Sequence, residues 1–266
     1  MKKLLIGVLF FLIVAGVAVS GYLMFGKKKP VGQMLPTPRP KLTLPVNQVP
    51  VSQRPYVTLE PTAAREVRLS IDQLRKPTKE VEFELQYSAG EKEEAAIGSV
   101  NLEKGKPPYT KTILLGSQSG GGKITYHENV TGGTLVLSFY DENYKLSNEW
   151  SYLDNRKPQT SFHSRDGKFD IETAKLLNIS PYIIVYQNPG LPKNTDKTLL
   201  AGPYSIAGTG ILPSGKATLT MRLSDAKPVE IWGWTGSDWK VFPAKVDGKT
   251  ATAEVELLAT YIAVEK

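Results

Sequence analysis

The sequence predicts an all-β soluble part, two antiparallel β-sandwiches, behind one N-terminal transmembrane helix and a proline-rich linker. Beyond residue 66, apolar and polar residues alternate with a period of two through run after run. Such alternation marks antiparallel strands with one buried and one exposed face. Glycine-rich punctuation separates the runs, as hairpin and sandwich connections require. The first 61 residues differ in kind, with a long apolar run followed by eight prolines.

Leu4 to Phe25 reads LLIGVLFFLIVAGVAVSGYLMF. At a rise of about 1.5 Å per residue this run reaches roughly 33 Å, close to the hydrocarbon thickness of a bilayer. A cleavable signal peptide usually has an apolar core of about 7–15 residues. Ala18-Val19-Ser20 meets the small-x-small cleavage rule, yet Tyr22, Leu23, Met24 and Phe25 carry the run past it. The expectation is a retained signal anchor over residues 1–29, contacting the membrane through residues 4–25. Lys2 and Lys3 flank one side and Lys27 to Lys29 the other, so the positive-inside count is nearly balanced. The short basic start favours the N-terminus inside and the β part outside, at the plasma membrane of a bacterial cell surface.

The net charge of +7 looks like a signal for nucleic acid until it is located. Lys2, Lys3, Lys27, Lys28, Lys29, Arg39, Lys41 and Arg54 precede the first acid. Removing these eight from the 33 basic residues leaves 25 against 26 acidic ones, a net charge of −1 for the rest. The basicity belongs beside the membrane, where lysines meet anionic head groups. Nucleic acid is therefore not an expected partner. The chain has no cysteine, which removes disulfides, thiolate metal sites, a lipid-bearing cysteine and cysteine nucleophiles.

Residues 30–61 hold prolines 30, 36, 38, 40, 45, 50, 55 and 61. That density disfavours helices and sheet ladders and favours an extended polyproline chain. Residues 30–55 would reach roughly 80 Å at about 3.1 Å per residue. A spacer is the reading of this linker, with Pro36-Thr37-Pro38-Arg39-Pro40 as a recognition motif the alternative.

The first sandwich is expected over residues 62–153. Val67, Leu69 and Ile71 alternate with polar residues, as do Val81, Phe83, Leu85 and Tyr87. Further strands are read at Ala96–Leu102, Thr110–Leu115, Lys123–Glu128 and Thr134–Tyr140, with turns at Gly120–Gly122 and Gly132–Gly133. Residues 154–167, DNRKPQTSFHSRDG, are polar and aperiodic and read as an interdomain connection. The second sandwich is expected over 168–266. Ala217–Leu223 and Ala251–Leu257 alternate, and Asp247-Gly248 supplies a hairpin turn before the latter. Tyr182–Tyr186 is apolar throughout and reads as a central strand. Ile171–Leu177 alone has helical spacing, for barely two turns.

From Ala217 onward the chain reads ATLTMRL…VEIWGWTGSDWKVFPAKVDGKTATAEVELLATYIAVEK. This order of a strand, a tryptophan-bearing hairpin, a Val/Asp/Gly turn, a Thr/Val strand and a Thr-Tyr before the last strand resembles a β-sandwich domain of bacterial surface proteins. That domain is similar to the sandwich of ankyrins and netrin receptors, and more loosely to fibronectin type III modules. The resemblance implies an immunoglobulin-like architecture and brings no catalytic residues with it. Residues 62–153 resemble immunoglobulin-like modules in strand count and length.

Candidate chemistry is sparse. The two histidines, His127 and His163, lie at a strand end and in the connection, and read as ordinary surface residues. Gly116-Ser117-Gln118-Ser119-Gly120 has glutamine where a nucleophile elbow needs serine. Ser119-Gly120-Gly121-Gly122-Lys123 lacks the phosphate-loop spacing and precedes a strand, so it reads as a hairpin turn. Glu91, Glu93 and Glu94 are placed in a polar loop, and Asp141-Glu142-Asn143 lacks the alternating oxygen donors of a calcium loop. No cofactor and no metal site is expected.

Trp232, Trp234 and Trp239 are the candidate binding surface. Trp232 and Trp234 share one strand face, opposite Ile231 and Gly233, and Trp239 returns after the turn Thr235–Asp238. Outward rings would stack on a sugar or a partner protein, whereas a cross-strand aromatic pair would simply pin the hairpin register. The functional expectation is a membrane-anchored extracytoplasmic interaction or structural module without catalysis, its protein or glycan partner unidentified. The alternatives are a carbohydrate-binding surface protein using Trp232 and Trp234, and a carboxylate-based cell-envelope hydrolase.

Overall fold

A computed structural model describes residues 44–62, 65–156, 159–176 and 180–266. The expected anchor and the linker as far as Thr43 lie outside them. Among the described residues no helix is long and apolar enough to cross a membrane. Leu44–Lys266 forms one compact unit, and it is all-β, built from antiparallel ladders.

Strands that alternate apolar and polar residues need a second layer to cover their apolar side. Here nine strands form one long sheet and two smaller sheets cover it. From edge to edge the long sheet runs β16 (Trp239–Pro243), β15 (Val229–Trp234), β19 (Thr260–Glu265), β13 (Leu199–Gly208), β12 (Tyr182–Gln187), β9 (Tyr144–Asp154), β8 (Val130–Phe139), β3 (Glu80–Ala89) and β4 (Lys92–Asn101). A three-stranded sheet contains β1 (Tyr56–Pro61), β2 (Glu66–Gln73) and β5 (Tyr109–Leu114). A five-stranded sheet contains β10 (Ser161–His163), β11 (Phe169–Glu172), β14 (Lys216–Arg222), β18 (Thr250–Glu256) and β17 (Lys245–Asp247). A ribbon of β6 (Gly116–Gln118) and β7 (Ile124–Tyr126) closes around the expected Gly120–Gly122 turn.

The two large cores meet at β12, the middle strand of the nine. Tyr182, Ile184 and Tyr186 enter the core beneath the three-stranded sheet, together with Val57, Leu69, Phe83, Leu137 and Trp150. Ile183 and Val185 point the other way, into the core with Phe169, Leu219, Tyr204, Val255 and Tyr261. The small sheets therefore cover opposite faces of the long one. A strand wet on neither side has no polar face to show, which explains the unbroken run Tyr182–Tyr186.

Several expectations change on contact with the structure. Tyr56–Pro61, in the stretch read as linker, is β1, and Leu44 is only 3% exposed. The prolines do not prevent this, because β1 is an edge strand and Pro55 and Pro61 sit at its ends. The polar segment 154–167 contains β10, whose Phe162 is fully buried against β11. Ile171–Leu177 has no α-helix over its described part. Phe169 and Ile171 are buried on alternate positions of β11, and a 3₁₀ turn at Ala174–Leu176 follows.

Gly132–Gly133 is not a turn either. Both residues lie inside β8, where neighbouring strands approach closely. A Cβ on Gly132 would stand 2.2 Å from the Trp150 carbonyl oxygen, and one on Gly133 2.2 Å from that of Gln86. Only glycine fits such an approach. Glu93 and Glu94 belong to β4 rather than to a loop.

Candidate binding surfaces

Strand β15 alternates strictly. Val229, Ile231 and Gly233 face the core, Ile231 with no exposure, while Trp232 and Trp234 stand half-buried on the opposite face. Across the hairpin Trp234 pairs with Trp239 and Trp232 with Val241. Gly236 supplies the left-handed turn conformation, with φ 98°. The Thr235 hydroxyl donates to the Asp238 carbonyl at 2.8 Å.

The three indoles contact one another at an incline. Trp234 and Trp239 meet edge to face, with centroids 5.4 Å apart and planes at 66°, while Trp232 and Trp239 are 6.4 Å apart at 46°. Trp232 Nε1 donates to Glu230 and Trp239 Nε1 to the Lys193 carbonyl at 2.9 Å. Trp232 and Trp239 also pack on a small cluster of Leu191, Ile262 and Val264. Outward placement thus coexists with register-pinning contacts. Val241, 48% exposed, prolongs the strip along edge strand β16.

A second site gathers both histidines, which the sequence reading assigned to surface and connection. His127 and His163 line one cleft of about 580 Å³ with Arg65, Glu128, Tyr152, Asp154, Arg156, Arg165 and Tyr182. The groups come from the start of β2, the β7–β8 turn, the end of β9, the β10 segment and the start of β12. Arg65 adopts a left-handed backbone, φ 55°, uncommon for a residue with a long side chain. Two bonds hold it, from Nε to the Tyr182 hydroxyl at 3.0 Å and from its guanidinium to Glu128. Arg156 clasps Asp154, with Nε 2.7 Å from Oδ1, and lies over the Tyr182 ring at 5.4 Å. Tyr152 stacks on Tyr182, with ring centroids 5.1 Å apart.

The charges of the cleft are set by these pairs. The Arg65 hydrogen bond holds the Glu128 carboxyl below the usual carboxylate range, and that of Arg156 does the same for Asp154. A general acid for glycoside hydrolysis needs the opposite shift. Burial pushes the Tyr152 phenol well up, so its proton stays in place. Tyr152 is 5% exposed, and its hydroxyl has no hydrogen-bond partner among the described residues. His127 meets Tyr87 rather than an acid, with Nδ1 3.1 Å from the phenol oxygen.

The remaining candidates have structural partners. Asp141 accepts the Lys79 amide at 3.1 Å and Glu142 pairs with Lys76 at 3.6 Å, which ties the β8–β9 turn to the segment before β3. Among the described residues no three histidine, aspartate or glutamate side chains gather where a metal ion could be held. The cleft escaped the sequence reading because its parts are distant in the chain. Its only local signal was two arginines around His163 in RKPQTSFHSR.

No protein-family model matches the chain, and no curated protein or solved structure is similar enough to count as a match.

Proposed function

We propose that the chain is a membrane-anchored extracytoplasmic module of the cell surface, serving interaction or architecture rather than catalysis. Residues 4–25 hold it in the plasma membrane with the N-terminus inside, and the proline-rich stretch spaces the β unit from the bilayer. The β unit is read as two immunoglobulin-like sandwiches that share the long sheet and meet at β12. The observation that carries the reading is the tryptophan strip. Trp232, Trp234 and Trp239 stand outside both large cores, half-exposed, on the hairpin that forms one edge of that sheet. Clustered aromatics of this kind are enriched where proteins meet partners.

The test is topological first. Protease added to intact cells making the full chain should remove residues 44–266 and leave an N-terminal fragment that resists carbonate extraction. Protection of the β unit in intact cells would sink the reading.

Carbohydrate recognition by Trp232 and Trp234 is a second reading, supported by the outward placement of both rings. Trp239 is inclined to each of them, by 46° to Trp232 and 66° to Trp234, which gives a sugar an edge-lined recess in place of a flat platform. A carboxylate hydrolase has less support, since the acids of the cleft are clamped by arginines.

A further inference from the structure

We infer that the cleft between β8, β9, β10 and β12 binds a small organic anion, a carboxylate or phosphate carried on an apolar body of about one ring. This goes beyond the tryptophan strip, which lies on β15 and β16, with β13 and β19 between it and β12.

The charge inventory is the first ground. Glu128 and Asp154 are each matched by an arginine, Arg65 and Arg156. Arg165 lines the same cleft, is exposed, and has no carboxylate partner among the described residues. The cleft therefore holds one guanidinium more than it has acids. A planar fork of donors is suited to carboxylate and phosphate oxygens.

The second ground is the Tyr152 hydroxyl. A buried phenol without a partner is costly to the free protein, and this one belongs to a residue of the cleft wall, its oxygen covered but within electrostatic reach of Arg65 and Arg156. It keeps its proton, and a shift of the wall on binding would offer that proton to an incoming oxygen.

The third is the histidine pair. His127, whose Nδ1 lies 3.1 Å from the Tyr87 hydroxyl, and His163 both line the same cleft, and an imidazole N–H of either ring is a donor for a bound oxygen. Guanidinium, phenol and imidazole groups thus line one space in which both carboxylates are already paired with arginines. Leu115, Val130 and Leu153 supply apolar wall, and the volume lies within the usual range for small-molecule sites, about 300–1,000 Å³. A cation would find both acids occupied. A neutral sugar would leave Arg165 uncompensated.

The chain has only two histidines and both line the cleft, so their ring signals report on it alone. The experiment uses the full chain in neutral detergent, labelled with ¹³C at the histidine rings, and titrates phenylacetate, phenyl phosphate and the uncharged phenylacetamide. Saturable shifts of both histidine signals are expected with at least one anion and not with the amide. The anion that saturates first tells carboxylate from phosphate. Arg165→Gln, at an exposed position, should weaken the response about tenfold, the loss of one charge-assisted bond. Tyr152→Phe should weaken it severalfold while leaving the ligand-free signals in place. Silent signals with both anions, equal shifts with phenylacetamide, or an unchanged response in Arg165→Gln would each overturn the inference. None of these outcomes depends on the tryptophans or on membrane topology.

Discussion

Asn188 holds both peptide groups of Val57. Its Oδ1 accepts the Val57 amide at 3.3 Å while its Nδ2 donates to the Val57 carbonyl. Nδ2 also reaches the Ser205 hydroxyl at 3.1 Å, Ser205 meets Thr260 at 2.9 Å, and Thr260 meets the Tyr56 hydroxyl at 2.7 Å. Every member of this relay is buried. The phenol of Tyr56 is pushed up to about 12, chiefly by burial. A satisfied buried network fixes position as well as adding stability, and this one seats β1 on the long sheet.

Asn188→Ala should orphan the Val57 carbonyl and amide and deprive Ser205 of a donor. Each buried group left without a partner costs about 1–3 kcal/mol. The expected result in urea unfolding is a lower midpoint with an unchanged slope. A midpoint equal to that of the parent chain would mean that packing alone seats β1.

Asp166 gives the clearest acid dependence. Burial pushes its carboxyl up, yet bonds from the Ser164 hydroxyl, the Tyr204 hydroxyl and the Lys168 amide outweigh this and hold it below the ordinary range. A carboxyl depressed by folding contributes stability that is complete above its unfolded value, about 3.9. That contribution is lost as pH falls through the lower folded value. Stability should therefore decline on acidification below about pH 4, and Asp166→Asn should remove part of the decline while costing about 1–3 kcal/mol at pH 7. Parallel stability curves for the two proteins between pH 5 and pH 2 would contradict this.

The glycine pair in β8 makes a steric prediction. Gly132→Ala and Gly133→Ala place a methyl against a neighbouring strand's carbonyl, and forced separation of packed elements costs about 1–3 kcal/mol or more. At Gly132, φ 100° adds backbone strain. Gly120→Ala, in the β6–β7 turn with open space around it, should change stability by less than about 0.5 kcal/mol. Thermal melts of the three variants decide the matter, and equal melting temperatures would refute the close approach.

For the hairpin, Trp234→Ala should cost on the order of 1 kcal/mol, the scale of a partly exposed cross-strand aromatic pair. Trp232→Ala should cost more than Trp234→Ala, because Trp232 also packs on the Leu191, Ile262 and Val264 cluster. Unfolding midpoints check the order, and the reverse order would show that the Trp234–Trp239 contact is the firmer one. If the strip binds a glycan, both variants should also lose retention on immobilised peptidoglycan fragments.

The alternation of Val81 to Tyr87 and of Ala217 to Leu223 made the strands legible, because each side chain's destination is decided by its own strand's two faces. The outward turn of Trp232 and Trp234 followed from the same rule. What escaped was decided by neighbours distant in sequence. Gly132 reads as a turn until Trp150 crosses beside it, and Tyr56–Pro61 reads as linker until Asn188 receives it. His127 and His163 read as unrelated surface residues, since only the pairing of β9 with β12 brings their surroundings together. The Ile171 segment misled because two buried residues of a short strand run into the apolar residues of a 3₁₀ turn.

β12 has a consequence for heredity. Ile183 and Val185 belong to one core, and Tyr182, Ile184 and Tyr186 to the other, so the strand cannot be assigned to either half without robbing the other of an inner wall. A gene segment that transplanted one half would carry a bare greasy strand with it or leave an uncovered core behind. Mosaic proteins are assembled from pieces whose borders cross few contacts. This fold has its border inside a strand, and so it should pass between proteins whole, from β1 to β19, or not at all.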